Sequence, residues 1–119
     1  MAKVYSFSLE NGIDALLDFK SDLLKKHNNQ LIIAIDQAIR KLELFGFKIN
    51  QEWKRDAIKK LDSELYELRV KNARLLLYFD GFDFYIILHC FLKTTMQTPR
   101  QHIDIAKKRI RLWKKQKSI

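Results

Sequence analysis

The 119-residue chain has one cysteine, one proline and three glycines, and each low count excludes a class of protein. The single Cys90 cannot form an internal disulfide, so the chain is not a disulfide-framed secreted domain. So little glycine and proline excludes collagen-like and low-complexity segments, and three glycines cannot build a Walker or dinucleotide-binding loop. No apolar run approaches the roughly 18 residues of a membrane span, and the N-terminus lacks a signal-peptide core. We therefore expect one cytoplasmic domain over residues 1–119, with no membrane attachment.

The positive charge is concentrated at the C-terminus. The chain has 23 basic and 14 acidic residues, a net charge of +9. Residues 1–92 contribute only +1, whereas residues 93–119 contribute +8, with Asp104 as their one acidic residue. This uneven distribution favours a polyanionic partner such as RNA, DNA, the ribosome or an anionic membrane. The alternative is a tail that only keeps the protein soluble.

Apolar spacing predicts a strand and two helices in the first 46 residues. Residues 4–9 favour a short strand. From residue 13, apolar side chains recur at helical spacing up to the polar break at residues 27–29, with Asn11 as the expected N-cap. A second apolar stripe begins at Leu31 and ends at Gly46. The short asparagine-rich connection predicts an antiparallel helical hairpin.

The following segment predicts an antiparallel β-sheet. Residues 47–63 are ambiguous: residues 52–61 are compatible with another short helix, and residues 62 and 63 favour a turn. Three strand-like runs over 64–70, 74–80 and 84–92 are separated by connectors of hairpin length, which predicts a meander. Together with the helices, these strands place the chain in the α+β class.

A final helix begins near Thr98, the expected N-cap, with Pro99 at its first position and Gln101 completing a capping box. Its apolar face comprises Ile103, Ala106, Ile110 and Trp113. Five basic residues fall on the opposite, solvent side and are candidates for binding RNA or the ribosome: Arg100, Lys107, Lys108, Arg111 and Lys115.

Side chains alternate across a strand, so the meander divides into two sets. One set is almost wholly apolar and is expected to face the core: Tyr66, Leu68, Val70, Leu75, Leu77, Phe79, Ile86, Leu88, Cys90 and Leu92. The other set contains the charged groups of the strands: Leu65, Glu67, Arg69, Arg74, Leu76, Tyr78, Tyr85, Ile87, His89, Phe91 and Lys93.

Arg69 and Arg74 flank one tight hairpin, so we expect them to lie close together. Paired arginine forks suit phosphate oxygens, and neighbouring aromatic rings can stack on unpaired bases. The alternative is an ordinary solvated sheet face on which Glu67 pairs with an arginine. A lone histidine such as His89 is more often structural than catalytic, and Cys90 is expected to be inert in the core.

No metal or cofactor is expected. The three histidines, at positions 27, 89 and 102, have no ligand spacing, and the sequence contains neither a CxxC nor an HExxH motif. No nucleophile elbow is visible for a serine hydrolase.

Three segments, in this order, resemble a known toxin family. Residues 60–69 read KLDSELYELR, residues 74–79 read RLLLYF, and residues 87–99 read ILHCFLKTTMQTP. Followed by a basic helix containing Ala106, they resemble the phage-related HigB-type branch of the RelE/HigB toxins. That pattern is an L-Y-E-L-R segment, an R-x-L-Y segment and an L-H-G-F-x-K-K-T-x-x-T-P segment. Cys90 replaces the usual glycine, and Thr94 stands where a second lysine is frequent.

The resemblance, which covers residues 60–111, implies a microbial RNase-like fold and a ribosome-dependent mRNA endonuclease. Members of the family cut without a metal: the 2′-hydroxyl attacks the adjacent phosphate, and basic side chains stabilise the developing charge. Carried over to this chain, Arg69 and Arg74 would clamp the phosphate, with Lys93 as a third electrostatic contributor. Glu67 would be the candidate general base and His89 the candidate acid.

The resemblance also implies partners and a location. It predicts a cytoplasmic toxin that acts on ribosomes and mRNA and assembles into a higher hetero-oligomer with a small helix-turn-helix, HigA-like antitoxin. The competing class is a non-catalytic RNA- or ribosome-binding module, which needs the same charge. Membrane-surface binding by the last helix is disfavoured because its apolar face is needed for docking on the domain.

Overall fold

A five-stranded mixed β-sheet lies between a helical hairpin and a C-terminal helix in the computed structural model, which describes residues 2–9, 12–81 and 84–117. The strands are β1 (Lys3–Ser6), β2 (Ile58–Lys60), β3 (Leu65–Val70), β4 (Ala73–Phe79) and β5 (Phe84–Leu92). The helices are α1 (Ala15–Lys25), α2 (Asn29–Phe45), the single-turn α3 (Ile49–Glu52) and α4 (Arg100–Lys117). A 3₁₀ turn, Gly46–Lys48, joins α2 to α3. The architecture confirms the α+β prediction and is consistent with a RelE-like fold.

The sheet has the strand order β1-β5-β4-β3-β2. The predicted meander is confirmed, because β3, β4 and β5 pair antiparallel in succession. The pairing of the N-terminal strand was not predicted: β1 pairs parallel to β5, with Lys3 opposite Phe84. This parallel edge makes the sheet mixed and brings the two ends of the chain's β-structure together.

The predicted helical hairpin is confirmed, but its first cap is not Asn11. The side chain of Asp14 accepts a hydrogen bond from the amide of Leu17 at 2.6 Å and caps α1. The helix begins at Ala15, directly after an isolated bridge that pairs Asp14 with Ser8; Asn11 itself lies outside the described residues. At the end of α2, Gly46 adopts a φ of +55°, a left-handed conformation that favours glycine.

The possible helix over residues 52–61 does not form, because residues 58–60 of this segment form the edge strand β2. Asp56 has a φ of +61°, which interrupts any helix. The side-chain amide of Asn50 forms the two hydrogen bonds that a neighbouring strand would otherwise form with Ile58. Its nitrogen donates to the carbonyl of Ile58 at 2.9 Å, and its oxygen accepts from the backbone amide of Ile58 at 2.8 Å. On the other side, Ile58 pairs with Leu68 of β3.

Both faces of the sheet are covered, so the division into one core face and one polar face was incomplete. The helical hairpin covers the first face with Leu23, Leu31, Ile35, Ala38 and Leu42. Helix α4 covers much of the second face, where its Ala106 and Ile110 are buried. The strand residues buried beneath α4 belong to a second core: Leu65, Leu76, Ile86, Leu88 and Phe91. The polar part of this face is therefore confined to one end of the sheet.

A β-bulge at Leu88 reverses the side-chain alternation within β5. Leu76 pairs with His89, but the next residue, Leu77, pairs with Ile87, so Leu88 has no partner on β4. As a result, Tyr85 and Ile87 join the hairpin core, whereas Ile86 and Leu88 join the core beneath α4. The alternation predicted for β5 is correct from His89 onward and inverted before the bulge, because one extra residue shifts the period of two.

Within residues 2–9, 12–81 and 84–117, no helix is both long enough and apolar enough to cross a membrane.

Candidate functional site

Two arginines face each other across the hairpin that joins β3 to β4. Arg69 and Arg74 are direct register partners on the antiparallel strands, as their positions beside the turn predicted. Between them the chain turns through Lys71, whose φ is +55°. Like charges directly opposite each other destabilise a sheet unless a counter-charge lies nearby.

Glu67 supplies that counter-charge from the interior. It is 0% exposed, the only charged residue buried to that degree within the described chain. Its Oε1 accepts a hydrogen bond from Nε of Arg69 at 3.2 Å and lies 3.8 Å from Nε of Arg74. Its Oε2 accepts a hydrogen bond from the hydroxyl of Thr98 at 2.5 Å. Both carboxylate oxygens are thus engaged, as a buried charge requires.

Thr98 was predicted to cap the final helix, and its hydroxyl instead joins the site. Helix α4 begins at Arg100, one residue later than predicted. The chain therefore approaches the helix from the side of Glu67, and the hydroxyl donates to that carboxylate. This contact fastens the loop before α4 to the arginine pair.

Backbone carbonyls hold the guanidinium of Arg74 in place. Its Nη1 donates to the carbonyl of Lys71 at 2.8 Å and to that of Ala73 at 2.9 Å. Its buried Nε has no hydrogen-bond partner among the described residues. Burial lowers the pKa of Arg74, Glu67 opposes that shift and Arg69 adds to it; an arginine nevertheless keeps its charge at neutral pH. The group is a fixed cation with an N–H still in need of an acceptor.

Lys93 lies at the same end of the sheet. Its backbone amide donates to the carbonyl of Asn72 in the β3–β4 turn at 2.7 Å. The residue is half-buried and directly follows the end of β5. The structure thus brings the backbone of Lys93 to the hairpin that carries Arg69 and Arg74.

His89 lies farther across the sheet and belongs to a second cluster. It pairs with Leu76, which in turn pairs with Glu67, so two strand spacings, or about 10 Å, separate the backbones of His89 and Glu67. Its Nε2 lies 2.8 Å from Nδ1 of His102 on α4. The ring of His102 stacks on Phe91, with centroids 3.8 Å apart and planes 6° from parallel.

The two imidazoles are held in the neutral form. Burial, with smaller contributions from His102 and Arg109, lowers the pKa of His89 to about 4. Burial also lowers the pKa of His102. The prediction based on single residues missed His102, although it falls on the same side of α4 as Ala106 and Arg109, four and seven residues later. That spacing was the available signal.

The described basic side chains of α4 comprise an exposed set, two ion-paired lysines and one inward-pointing arginine. Arg100, Lys108, Arg111 and Lys115 are exposed, as predicted. Lys107 instead pairs with Asp62 at 2.7 Å, and it lowers the pKa of that carboxyl. Lys114 similarly pairs with Glu64.

Arg109 points inward, which the sequence reading did not predict. Its Nη1 donates to the carbonyl of Leu88 at 2.7 Å. Leu88 is the bulged residue that has no partner on β4, so the arginine satisfies its carbonyl and ties α4 to the sheet. Burial lowers the pKa of this guanidinium.

The described residues provide neither a metal-binding cluster nor a reactive thiol. In the described part of the chain, no group of three or more His, Cys, Asp and Glu side chains is arranged to hold a metal ion. Burial raises the pKa of the Cys90 thiol to about 12, so the thiol stays protonated at neutral pH.

Comparison with known proteins gives one family match. Residues 22–111 match the family described as phage-derived protein Gp49-like (DUF891). The matched segment begins within α1 and ends within α4, and therefore includes the arginine pair, Glu67 and both paired histidines. No curated protein matches the chain.

Proposed function

We propose that this chain, which belongs to the phage-derived Gp49-like family, is the toxin of a toxin–antitoxin module and cuts mRNA on the ribosome. The family is RelE/HigB-like, and the resemblance of the segments quoted from residues 60–99 to the HigB-type branch supports the proposal. The observation that carries the proposal is the arginine pair, Arg69 and Arg74, fixed around one buried carboxylate at an end of the sheet.

The arginine pair suits the stabilisation of a phosphorane. In the proposed reaction, the ribose 2′-oxygen forms a bond to phosphorus and its proton passes to a base, while the bond to the 5′-oxygen breaks and that oxygen takes up a proton from an acid or from water. The products are a 2′,3′-cyclic phosphate and a 5′-hydroxyl. Negative charge develops on the non-bridging oxygens, and planar forks can donate to two oxygens at once.

Glu67 fits the positioning of the arginines better than proton transfer. Its two oxygens are occupied by Arg69 and Thr98, and it has no exposed surface from which to reach a 2′-hydroxyl. We assign it the role of holding both guanidinium groups in one orientation, so that they need no rearrangement as charge develops. The general-base role implied by the resemblance stays a prediction.

His89 has little capacity to act as an acid at neutral pH. With a pKa of about 4, it carries a proton in only about one molecule in a thousand at pH 7. A general acid must hold the proton that it donates. The neutral pair formed with His102 is better suited to anchor α4 to the sheet.

The ribosome would position a flexible mRNA for in-line attack, which can contribute several kcal/mol. The exposed residues Arg100, Lys108, Arg111 and Lys115 would provide the contact with ribosomal RNA, because backbone phosphates attract such clusters. A helix-turn-helix antitoxin and a cytoplasmic location complete the proposal.

The decisive experiment incubates the purified chain with ribosomes programmed with a defined mRNA and maps the RNA ends. We expect cleavage within the ribosome-bound codons and little cleavage of the same RNA without ribosomes. Arg74→Lys serves as the matched control, since it keeps the charge and removes the fork. A non-catalytic binding module would show ribosome association without new RNA ends.

A further inference from the structure

A groove of about 350 Å³ lies on the hairpin side of the molecule, next to the arginine pair. It is bounded by the first half of α2, by the segment after α3 and by the turn between β3 and β4. The residues that matter for its chemistry are two amides, an indole and three cations: Gln30, Gln37, Trp53, Lys54, Arg69 and Lys71.

The indole of Trp53 offers a platform at this groove. The ring packs against the hairpin core while the residue remains half-exposed along the groove. The ammonium of Lys54 lies 4.7 Å from the ring centroid. Because Lys54 is exposed, its flexible side chain can leave the ring to a planar ligand and move to an adjacent anion. An aromatic surface with a mobile cation beside it suits a nucleobase and its phosphate.

The charge of the groove is unbalanced. Among the described residues that line it, none is acidic, and no described carboxylate pairs with Lys54 or Lys71. The groove beside α4 differs in this respect, because its lysines, Lys107 and Lys114, pair with Asp62 and Glu64. Electrostatic complementarity therefore favours an anionic ligand at the first groove.

Two contacts connect this groove to the arginine pair. Arg69 lines the groove and donates through Nε to Glu67 at 3.2 Å. Lys71 also lines it, and its carbonyl accepts from Nη1 of Arg74 at 2.8 Å. A ligand in the groove thus lies next to the phosphate that the two arginines would hold.

We propose that this groove is a base-binding subsite for the mRNA nucleotide adjoining that phosphate; the inference rests on the function proposed above. Trp53 stacks on the base, and Lys54 and Lys71 contact the flanking backbone. Gln30 and Gln37 carry both donors and acceptors, so they can discriminate between base edges. Trp53 and these two glutamines therefore determine which nucleotide is presented for cutting.

The test uses the fluorescence of Trp53 in the full chain, with Trp113→Phe removing the only other tryptophan. The probes are the four ribonucleoside 3′-monophosphates, and ribose phosphate serves as the control without a base. We expect the nucleotides to quench the fluorescence and ribose phosphate to leave it nearly unchanged. Equal quenching by ribose phosphate would overturn the stacking role.

Two substitutions at Trp53 separate stacking from folding. Trp53→Phe retains an aromatic ring, whereas Trp53→Leu retains apolar bulk without one. Measured by calorimetry, Trp53→Leu should bind nucleotides about ten- to hundredfold more weakly, and Trp53→Phe should stay within a few-fold of the unsubstituted protein. Phe47→Leu, at another exposed aromatic residue, is the matched control and should leave binding unchanged. Equal binding by the Trp53→Leu and Trp53→Phe proteins would contradict the subsite.

Cleavage on programmed ribosomes separates this proposal from the proposed function. If both hold, Trp53→Leu changes the preferred base at the cut site, whereas Arg74→Lys removes cutting at every site. If Trp53→Leu cuts the same codons at the same rate, the subsite is wrong and the nuclease assignment stands. If the unsubstituted chain does not cut at all, the nuclease assignment fails, and the fluorescence and calorimetry measurements alone determine whether the groove binds a nucleotide base.

Discussion

Nε2 of His89 and Nδ1 of His102 lie 2.8 Å apart, so one ring N–H donates a hydrogen bond to the other ring's nitrogen, and the two rings cannot both become imidazolium without breaking the contact. Because β5 carries the first ring and α4 carries the second, this hydrogen bond joins the last helix to the sheet. The contact therefore gives the fold a specific sensitivity to acid.

We expect the protein to lose stability as the pH falls from about 6.5 to about 4. The pKa of His89 is lowered in the folded protein, so the unfolded chain binds the proton first and acid favours unfolding. Since the ring is only partly buried, the loss should be about 1–2 kcal/mol. Urea unfolding at pH 7 and pH 4.5 would measure it. His89→Gln should lessen the pH dependence, whereas His27→Asn, at an exposed histidine, should preserve it.

Replacing either site arginine should abolish growth inhibition. Arg69→Ala and Arg74→Ala would each remove a proposed contact to the transition state, and such losses typically lower the rate about 10²- to 10³-fold. Alanine also removes a partner of the buried Glu67, so Arg74→Lys is the sharper variant because it keeps a charge there. We expect Arg74→Lys to unfold near the normal temperature and to cut at least 100-fold more slowly. Cleavage at the normal rate would favour the binding-module alternative.

Removing the charge of Glu67 should affect stability first. Glu67→Gln leaves Arg69 and Arg74 opposite each other without a counter-charge, and breaking such a buried pair costs about 3 kcal/mol or more. Chemical denaturation should show this loss. Combining Glu67→Gln with Arg69→Gln removes one of the repelling charges, so the double variant should be more stable than the sum of the single losses predicts. Strict additivity would show that the two groups do not interact.

Reversing the exposed charges of α4 should weaken ribosome association without unfolding the protein. A variant with Lys108, Arg111 and Lys115 changed to Glu alters only exposed positions. Co-sedimentation with ribosomes at moderate salt would measure the effect, and an unchanged pellet would count against this surface. Trp113→Ala provides the contrast, because its ring packs against the second core and its loss should cost about 3 kcal/mol.

The chemistry of the cut ends tests the reaction itself. We expect cleavage of a pre-formed stalled ribosome complex to continue in EDTA, because the proposed stabilisation comes from the fixed charges of Arg69, Arg74 and Lys93. End analysis should find a 2′,3′-cyclic phosphate or 3′-phosphate and a 5′-hydroxyl. Efficient metal-dependent cutting of free RNA that leaves 5′-phosphates would overturn the mechanism.

The sequence predicted most accurately the elements that depend on interactions between residues close together in the chain. Helical spacing identified α1 and α2, and turn residues bounded β3, β4 and β5, because short-range sterics and burial determine these elements. The arginine pair was also predictable, since a two-residue turn fixes the register of Arg69 opposite Arg74. The bulge at Leu88 was not, because it depends on a partner strand and on Arg109, 21 residues later.

The remaining incorrect predictions all concern residues whose structure depends on tertiary contacts. Residues 58–60 become a strand because Asn50 and β3 provide hydrogen bonds that their own sequence does not reveal. Thr98 carries an N-cap signal, yet its hydroxyl bonds to Glu67, which is distant in sequence. Only the folded chain brings His102 to His89, so reading each histidine alone concealed the pair.

The parallel pairing of β1 with β5 has a consequence for the order of synthesis. Lys3 is synthesised long before its partner, Phe84, and β5 must also accommodate α4. Such non-local pairing is slow to form because a long loop must close first. The nascent chain therefore cannot complete its sheet until β5 has been translated, which would delay any activity that depends on the whole sheet until the ribosome has passed that strand.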